Sequence, residues 1–277
     1  MCLIAIAWQS HPRYRLALIA NRDELHARPA SPAGPDPQRA DVYGGRDLQM
    51  GGSWLLASTR GRLAVVTNVR AGLSVEPMPR SRGALVHDFV HGDVGGEQFL
   101  SMLADTAMEY GRFNLLVWDG QSLNFAGNHP HYTTHSVAPG LHAMSNGAFD
   151  AAWPKSGRAM QSLDAWLRRS GKGTATDVAP ADVAPLFEAL ADTTPAPDAE
   201  LPDTGVGLDM ERALSPPFVR SARYGTRCSS VVMIDEDDIT FVERRFGPDG
   251  VPLGETAATL RLASHAESVA RSPRART

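Results

Sequence analysis

The sequence predicts an α+β fold in which two packed, mostly antiparallel sheets are covered by helices. Two observations lead to this prediction. Short apolar runs of strand length come in pairs joined by tight turns, which is typical of antiparallel hairpins. Helical patterns follow the first strands and precede the last ones, so strands, helices and strands succeed one another along the chain. Each amphipathic helix then needs a sheet face against which to bury its apolar side.

The first predicted element is a hairpin at the start of the chain. Two apolar runs, residues 2–8 and 16–20, are separated by a short polar turn. The second run leads directly into Arg22 and Asp23. Because the end of a hairpin's second strand returns beside the start of its first strand, these two side chains are expected close to Cys2.

Turn residues and helix periodicity define the middle elements. Residues 29–53 are rich in Pro, Gly and Asp, which predicts a long loop. Ser81 is a suitable helix N-cap, and the apolar side chains between Leu85 and Val90 recur at helical spacing. Asp119-Gly120 is typical of a hairpin turn. The predicted elements after the first hairpin are, in chain order, strands 54–58 and 63–68, helices 81–90 and 97–110, strands 113–118 and 123–126, helices 153–168 and 182–191, and strands 229–235 and 239–244.

These elements predict a single domain over residues 1–262. The chain has 277 residues, of which 43% are hydrophobic, and this is enough to build one sizeable core. Residues 263–277 are rich in Ser, Arg and Ala, and they are expected to form a disordered tail.

Cys2 is the most informative single residue, because it directly follows the initiator Met1. Removal of Met1 would give Cys2 a free α-amine beside its thiol. The reference pKa of an α-amine is near 8 and that of a thiol is near 8.5, so a proton acceptor would be part of the nucleophile itself. Activation by an N-terminal amine is an established route to covalent catalysis. The alternative is that Cys2 is simply a small buried hydrophobic residue.

A series of short motifs runs in order from residue 1 to about residue 245. They are Met1-Cys2-Leu3-Ile4, Asn21-Arg22-Asp23-Glu24, Arg28-Pro29, Gly51-Gly52-Ser53-Trp54-Leu55, Ser58-Thr59-Arg60-Gly61, Thr67-Asn68, Ser81-Arg82-Gly83, Phe113-Asn114-Leu115, Ser145-Asn146, Trp153-Pro154-Lys155 and Tyr224-Gly225-Thr226-Arg227. With these motifs the chain resembles the NRDE family, which is also called the transport and Golgi organisation type 2 family. That family is similar to the N-terminal nucleophile hydrolases, most of all to the penicillin V acylase and bile salt hydrolase group.

The resemblance implies a four-layer αββα sandwich and a role for each of several residues. It implies that Cys2 is both nucleophile and base, while Arg22 and Asp23 tune and orient it. It further implies Asn68 and Asn146 as oxyanion donors. Enzymes of that group cleave amides with their N-terminal Cys, so the same chemistry is expected here.

Other interpretations of these residues remain open. The resemblance implies Arg227 as a second cationic group near the nucleophile, but a charge at a strand edge is the alternative. Arg22 and Asp23 would also suit a structural ion pair after a strand. The two asparagines would also suit turns, which is the usual place of Asn in loops. Cys228 is expected in the core.

Composition excludes several classes of protein. A net charge of −4 gives no reason to expect nucleic-acid binding. No apolar stretch approaches the roughly 20 residues needed to span a bilayer, and the opening run lacks the basic segment of a signal peptide. Two cysteines do not make a disulfide scaffold and are typical of a reducing compartment, so a cytoplasmic protein is expected.

The histidines give only weak signals. His87 and His91 are four residues apart on a predicted helix, a spacing compatible with a metal, but no third ligand is apparent. His129, His131 and His135 cluster in a loop, where they would suit a metal or haem, or simply a polar turn. We therefore expect no metal site.

Three functions remain as hypotheses. The first is a hydrolase of an amide or thioester of a small acylated molecule, which needs no cofactor. The second is a binding or trafficking protein for haem, acyl-CoA or lipid, which uses the same pocket without turnover, since a fold can keep its pocket and lose its chemistry. The third is a stable complex with a partner that docks on the Pro-rich residues 29–37. The presence of all the catalytic-type residues favours the hydrolase.

Overall fold

The computed structural model describes residues 2–73, 77–170 and 183–263, and its strands form two sheets. The strands, in chain order, are β1 (Cys2–Trp8), β2 (Leu16–Leu25), β3 (Gly34–Pro35), β4 (Val42–Gly44), β5 (Leu55–Ser58), β6 (Arg62–Asn68), β7 (Phe113–Trp118), β8 (Leu123–Gly127), β9 (Thr133–Ser136), β10 (Gly140–Met144), β11 (Tyr224–Ile234), β12 (Asp238–Phe246) and β13 (Pro252–Arg261). A six-stranded sheet has the order β10-β1-β2-β11-β12-β13, and a seven-stranded sheet runs from β3 to β9 in chain order. All pairings between these strands are antiparallel.

The helices flank these sheets. The α-helices are α1 (Arg82–His91), α2 (Gly96–Leu103), α3 (Pro154–Ser170), α4 (Ala184–Leu190) and α5 (Leu208–Ala213), and short 3₁₀ turns lie at Ala107–Glu109, Asp198–Glu200 and Pro248–Gly250. Ser81 caps α1, since its side chain accepts a hydrogen bond from the Gly83 N–H.

Successive side chains of each strand point to opposite faces of its sheet, and this divides the core into three layers. In β1, Ile4 and Ile6 point between the two sheets, whereas Leu3 and Ala5 point outward against α3 and α4. In β7, the side chains alternate in the same way between the inter-sheet core and the face that α1 and α2 cover. Helices therefore cover both outer faces, and the predicted four-layer αββα sandwich of antiparallel sheets is confirmed.

Several elements differ from the sequence prediction. The helix predicted over 97–110 ends at Leu103 and is followed by a separate 3₁₀ turn. The loop predicted over 29–53 contains β3 and β4, and strands β9, β10 and β13 were not predicted. Two of these strands lack the signal of a buried run: all four residues of β9 are exposed, and most of β13 is exposed.

Two predicted segments lie partly outside the described residues. The helix predicted over 182–191 is seen as α4 from Ala184, and residue 182 is not described. In the predicted tail, the Ala263 N–H donates a hydrogen bond of 2.7 Å to the Thr59 carbonyl, and residues 264–277 are not described.

A close contact between two glycines explains two of the motifs. A Cβ on Gly52 would lie 2.3 Å from the carbonyl carbon of Gly83, so only glycine permits this approach of the backbones. The Ser53 N–H also donates to the Gly83 carbonyl at 3.1 Å. The first turn of α1 is thereby fixed against the segment that leads into β5, beside the cavity described below.

Gly52→Ala is expected to lower the free energy of unfolding by about 1–3 kcal/mol, because two backbone segments would have to move apart. Gly157→Ala is the matched control, since a Cβ there meets nothing within 4 Å. Gly157 lies inside α3, where alanine should stabilise by up to about 1 kcal/mol. Thermal denaturation of both variants tests this, and equal melting temperatures would contradict the steric explanation.

Candidate active site

The strand register brings Arg22 beside Cys2. Arg22 is paired with Cys2 on β1 and with Cys228 on β11. Paired residues of an antiparallel sheet point to the same face, so all three side chains face the second sheet. The proximity predicted from the hairpin is confirmed. The two cysteines are separated by two strand spacings, roughly 9.6 Å, which is too far for a disulfide, and both are free.

The Arg22 side chain lies between an aromatic ring and an acid. Arg22 is only 7% exposed. Its guanidinium carbon lies 4.3 Å from the centre of the Trp54 ring, and its Nη2 lies 3.8 Å from Glu24 Oε2. Within the described residues its Nη1 has no hydrogen-bond partner. Arg22 therefore retains a donor for a further group.

Asp23 points to the opposite face of β2 and is almost fully buried. Its Oδ1 accepts a hydrogen bond of 2.7 Å from the Thr226 hydroxyl, and its carbonyl oxygen accepts one of 3.1 Å from the Tyr224 hydroxyl. Burial raises the pKa of Asp23, while the N-terminal amine, Lys155 and the Thr226 hydrogen bond oppose this effect. The Tyr224-Gly225-Thr226-Arg227 motif thus supplies two of the groups that hold Asp23.

Lys155 is a residue of this site to which the sequence analysis gave no role. It lies in the first turn of α3, is 2% exposed, and its Nζ donates to the Leu214 carbonyl at 3.3 Å. Burial lowers the pKa of Lys155 to about 8, although the attraction of Asp23 and Cys2 opposes this. The Trp153-Pro154-Lys155 motif was the available signal, because a lysine buried on a helix rarely lacks a charged neighbour.

The Cys2 thiol has a raised pKa in the chain that begins with Met1. Burial raises the pKa of this thiol, as does the charge of Asp23, and the N-terminal amine and the Arg22 guanidinium offset the effect only in part. Burial dominates in this form because the Cys2 side chain is only 9% exposed and has lost most of the water around it. A positive charge closer to the thiol would lower its pKa and activate Cys2.

A polar network joins the ends of the two sheets beside Cys2. The Ser145 hydroxyl donates to the Cys2 carbonyl at 2.9 Å, and the Thr67 hydroxyl donates to the Ser145 carbonyl at 2.6 Å. The Asn146 amide is fully buried and donates to the Asn68 carbonyl at 2.8 Å. Three separate motifs therefore meet in one network, which positions the end of β6 next to the start of β1.

Arg227 is the extra residue of a β-bulge in β11. Its Nη1 donates to the carbonyls of Leu25 and Arg28, at 2.8 and 2.9 Å. Burial lowers the pKa of Arg227, with a further contribution from the charge of Arg22. Arg227 thus fixes the turn after β2 and stands within electrostatic range of Arg22.

A cavity of about 540 Å³ opens at this end of the inter-sheet layer. Of the residues implied by the resemblance, Cys2, Arg22, Asp23 and Asn68 line it. Asn146 and Arg227 are not among the residues that line it. The remaining lining includes further arginines and three methionines, so the cavity is suited to a ligand that is both charged and apolar.

Of the histidines considered as ligands, one lines the cavity and the others do not. His129 lines it, whereas His131 and His135 do not. His87 and His91 stack on one face of α1 with ring centres 3.9 Å apart and also lie outside the lining.

In the described residues no helix is long and apolar enough to cross a membrane.

Comparison with known proteins identifies relatives along nearly the entire chain. Residues 1–248 match the model of the family described as Transport and Golgi organisation 2. A Transport and Golgi organization protein 2 homolog of Bos taurus is 32% identical, over 95% of this chain and 100% of that protein. The corresponding human homolog is 30% identical, over 88% of this chain and 92% of its own length.

Two solved structures are also similar in shape. One is the Caenorhabditis elegans N-acylethanolamine-hydrolyzing acid amidase ortholog, with a TM-score of 0.48 and 9% identity over 83% of this chain and 92% of that one. The other is a mutant conjugated bile acid hydrolase from Clostridium perfringens, with a TM-score of 0.44 and 9% identity over 92% of each chain.

Proposed function

We propose that this chain, which belongs to the Transport and Golgi organisation 2 family, is an N-terminal cysteine hydrolase. After removal of Met1 it would cleave an amide or thioester of a small acylated molecule. The observation that carries the proposal is that Cys2, Arg22 and Asn68 line one cavity, with Asp23 held at its edge. This combines a nucleophile, a cation, an amide and a carboxylate in one space.

The reaction follows from these groups. The Cys2 thiolate attacks the carbonyl carbon, and the oxyanion that forms accepts a hydrogen bond from the Asn68 amide. The bond to the leaving group then breaks, and the α-ammonium of Cys2 gives its proton to the departing amine or thiol. Water, deprotonated by the now neutral amine, attacks the thioester, releases the acid and restores the thiol. Asp23 would orient the amine throughout.

The remaining groups act on this set. Asn146 holds the Asn68 backbone through a hydrogen bond to its carbonyl. Lys155 lowers the pKa of Asp23 and so favours its ionised form. Arg22 favours the thiolate over the thiol. Each of these effects is indirect, so loss of one should slow the reaction and leave the nucleophile in place.

Trapping of an acyl-enzyme tests the proposal. Protein whose mass shows that Met1 is absent is mixed with a panel of small activated amides and thioesters. A hydrolase should show a burst of product and an adduct with the mass of the acyl group on the peptide that starts at Cys2. Cys2→Ala should form no adduct. Processed protein that gives neither burst nor adduct across the panel would reject the hydrolase.

A carrier of haem is the second candidate, because His129 lines the same cavity as Cys2. A thiolate or an imidazole can bind haem iron axially. Titration followed by Soret absorbance compares the wild type with Cys2→Ala and His129→Ala, and His131→Ala is the matched control outside the cavity. Tight binding lost with one cavity ligand, together with no acyl adduct, would favour the carrier. Binding of an acyl-CoA or lipid without an adduct would likewise favour a carrier.

A further inference from the structure

The wall of the Cys2 cavity carries more positive than negative charge. Five arginines and three carboxylates line it. Two of the carboxylates have partners within the wall: Arg28 Nε lies 3.1 Å from both oxygens of Asp47, and Glu24 lies 3.7 Å from Arg28 Nη1. Arg80, at the rim, binds Glu109 at 2.6 Å. Arg22, Arg82 and Arg112 are the other arginines of the wall. Among the described residues, they outnumber the wall carboxylates that remain to pair with them.

Arg82 is an arginine of the wall that has only a weak partner among the described residues. It begins α1 and is partly buried. No carboxylate among the described residues lies within ion-pair distance of it, and its guanidinium makes one long hydrogen bond, of 3.4 Å, to the Arg112 carbonyl. Burial lowers the pKa of Arg82, and the attraction of Cys2 and Glu24 opposes this. A half-buried guanidinium with so few acceptors is suited to bind an anion.

A second guanidinium reaches the same space. Arg22 is more than nine-tenths buried and lines the cavity, and its Nη1 has no hydrogen-bond partner in the described part of the chain. Two arginine donors beside one nucleophile are typical of sites for planar or tetrahedral oxyanions. The methionines of the wall, Met50, Met78 and Met108, leave an apolar surface for the rest of the ligand.

We infer that Arg82, with Arg22, forms an anion subsite of the Cys2 cavity, and that the molecule attacked by Cys2 carries a carboxylate or phosphate group. The statement that Cys2 attacks this molecule rests on the proposed hydrolase. Binding of the anion by Arg82 and Arg22 does not depend on turnover. Arg82 is a binding residue in this scheme. The oxyanion that forms during the reaction is bound by the Asn68 amide and not by Arg82.

Gly111 supports the position of the Arg82 side chain. A Cβ on Gly111 would lie 2.8 Å from Arg82 Nη1. The contact is with the far end of a flexible side chain, so Gly111→Ala should displace the guanidinium without removing its charge. This provides a second variant that perturbs the subsite by geometry alone.

The test compares two alkylating agents that differ in charge. Iodoacetate carries a carboxylate and iodoacetamide is neutral, and both react with the same Cys2 thiolate, so the ratio of their rate constants cancels the thiolate fraction. Arg82→Met should lower the iodoacetate-to-iodoacetamide ratio at Cys2 by about 10-fold. Gly111→Ala should lower it in the same direction. Arg80→Met, which removes an equal charge from the rim, should change it less than about 2-fold.

Competition identifies the anion. If inorganic phosphate slows iodoacetate at Cys2 more than acetate does, the subsite takes a phosphate; the reverse order assigns a carboxylate. Equal ratios in Arg82→Met and the wild type, or equal losses in Arg82→Met and Arg80→Met, would overturn the subsite. Either result can occur with an intact acyl-enzyme burst, so failure of this inference is distinguishable from failure of the hydrolase.

Discussion

Removal of Met1 is expected to speed the alkylation of Cys2 at neutral pH by at least about tenfold. In the chain that keeps Met1, burial raises the pKa of the Cys2 thiol, so the neutral thiol predominates at pH 7. Removal of Met1 places the α-ammonium on Cys2 itself, a few ångströms from the sulfur and closer than the amine of Met1, and this lowers that pKa further. Each unit by which the pKa falls gives about tenfold more thiolate while the pH remains below it.

The measurement needs two forms of the protein. One is the processed chain that starts at Cys2, verified by intact mass, and the other carries a single alanine inserted before Cys2. Iodoacetamide rate constants are determined from pH 6 to pH 10, with the site of labelling mapped to peptides. Cys228 is an internal control in each sample, because burial raises the pKa of its thiol well above the usual value.

The direction of the pH dependence follows from the sign of the shift. Below its pKa a thiol gains tenfold more thiolate with each pH unit, so the alanine-extended chain should react faster with every step through pH 9. The processed chain should level off at a lower pH. Identical profiles for the two forms would show that the amine does not activate Cys2, and the hydrolase would lose its base.

The local part of the site could be predicted from the sequence, and the distant part could not. The register of one hairpin places Arg22 against Cys2, and a hairpin depends on residues that are close in sequence. The Cys2 pKa depends on how much water the second sheet and the helices exclude, which no local pattern encodes. Lys155 approaches Asp23 only because α3 packs across the outer face of the first sheet.

The same distinction applies to the fold. Strands with continuous apolar runs, such as β1 and β7, are recognisable because both of their faces are buried. Strand β9 has four exposed residues and pairs only with β8 at the sheet edge, so its sequence carries no burial signal. Its conformation is set by the hydrogen bonds that β8 offers, and these become visible only in the structure.

Lys155→Met is expected to stabilise the protein at neutral pH by about 1–3 kcal/mol. Burial lowers the pKa of Lys155 to about 8 in the folded chain, against roughly 10.4 for an unfolded lysine. This shift already includes the attraction of Asp23, so the folded state disfavours the charged lysine on balance. Methionine has a similar length and no charge to bury, and the cost, about 3 kcal/mol as an upper value, would be removed.

The pH dependence of that gain identifies its origin. Between about pH 8 and pH 10.4 the unfolded chain binds a proton that the folded chain has released, so the Lys155 contribution to stability rises with pH. Below pH 8 both states are protonated and the full cost remains. The gain from Lys155→Met should therefore be largest at pH 7 and shrink toward zero near pH 10.

Denaturant unfolding at several pH values measures the difference between variant and wild type. The buried thiols also titrate in this range and act with the opposite sign, but they are present in both proteins and cancel in the difference. Arg158→Met is a matched control on the same helix, since Arg158 is partly exposed and binds Asp192 at 2.7 Å. The difference in free energy of unfolding between Arg158→Met and the wild type should not change with pH.

Thiol reactivity then separates a functional lysine from a purely structural one. A buried cation that costs stability can be retained because another property depends on it. Lys155 favours the ionised form of Asp23, and this carboxylate attracts the N-terminal amine, so Lys155→Met should slow the alkylation of Cys2 in the processed chain while it raises stability. Asp23→Asn should slow it as well, because loss of the hold on the amine should outweigh the loss of a negative charge that raises the pKa of the thiol. The double variant should add little to either single change. A variant that is less stable at pH 7, or a stability difference that does not change from pH 7 to pH 10, would contradict the buried charge on which this prediction rests.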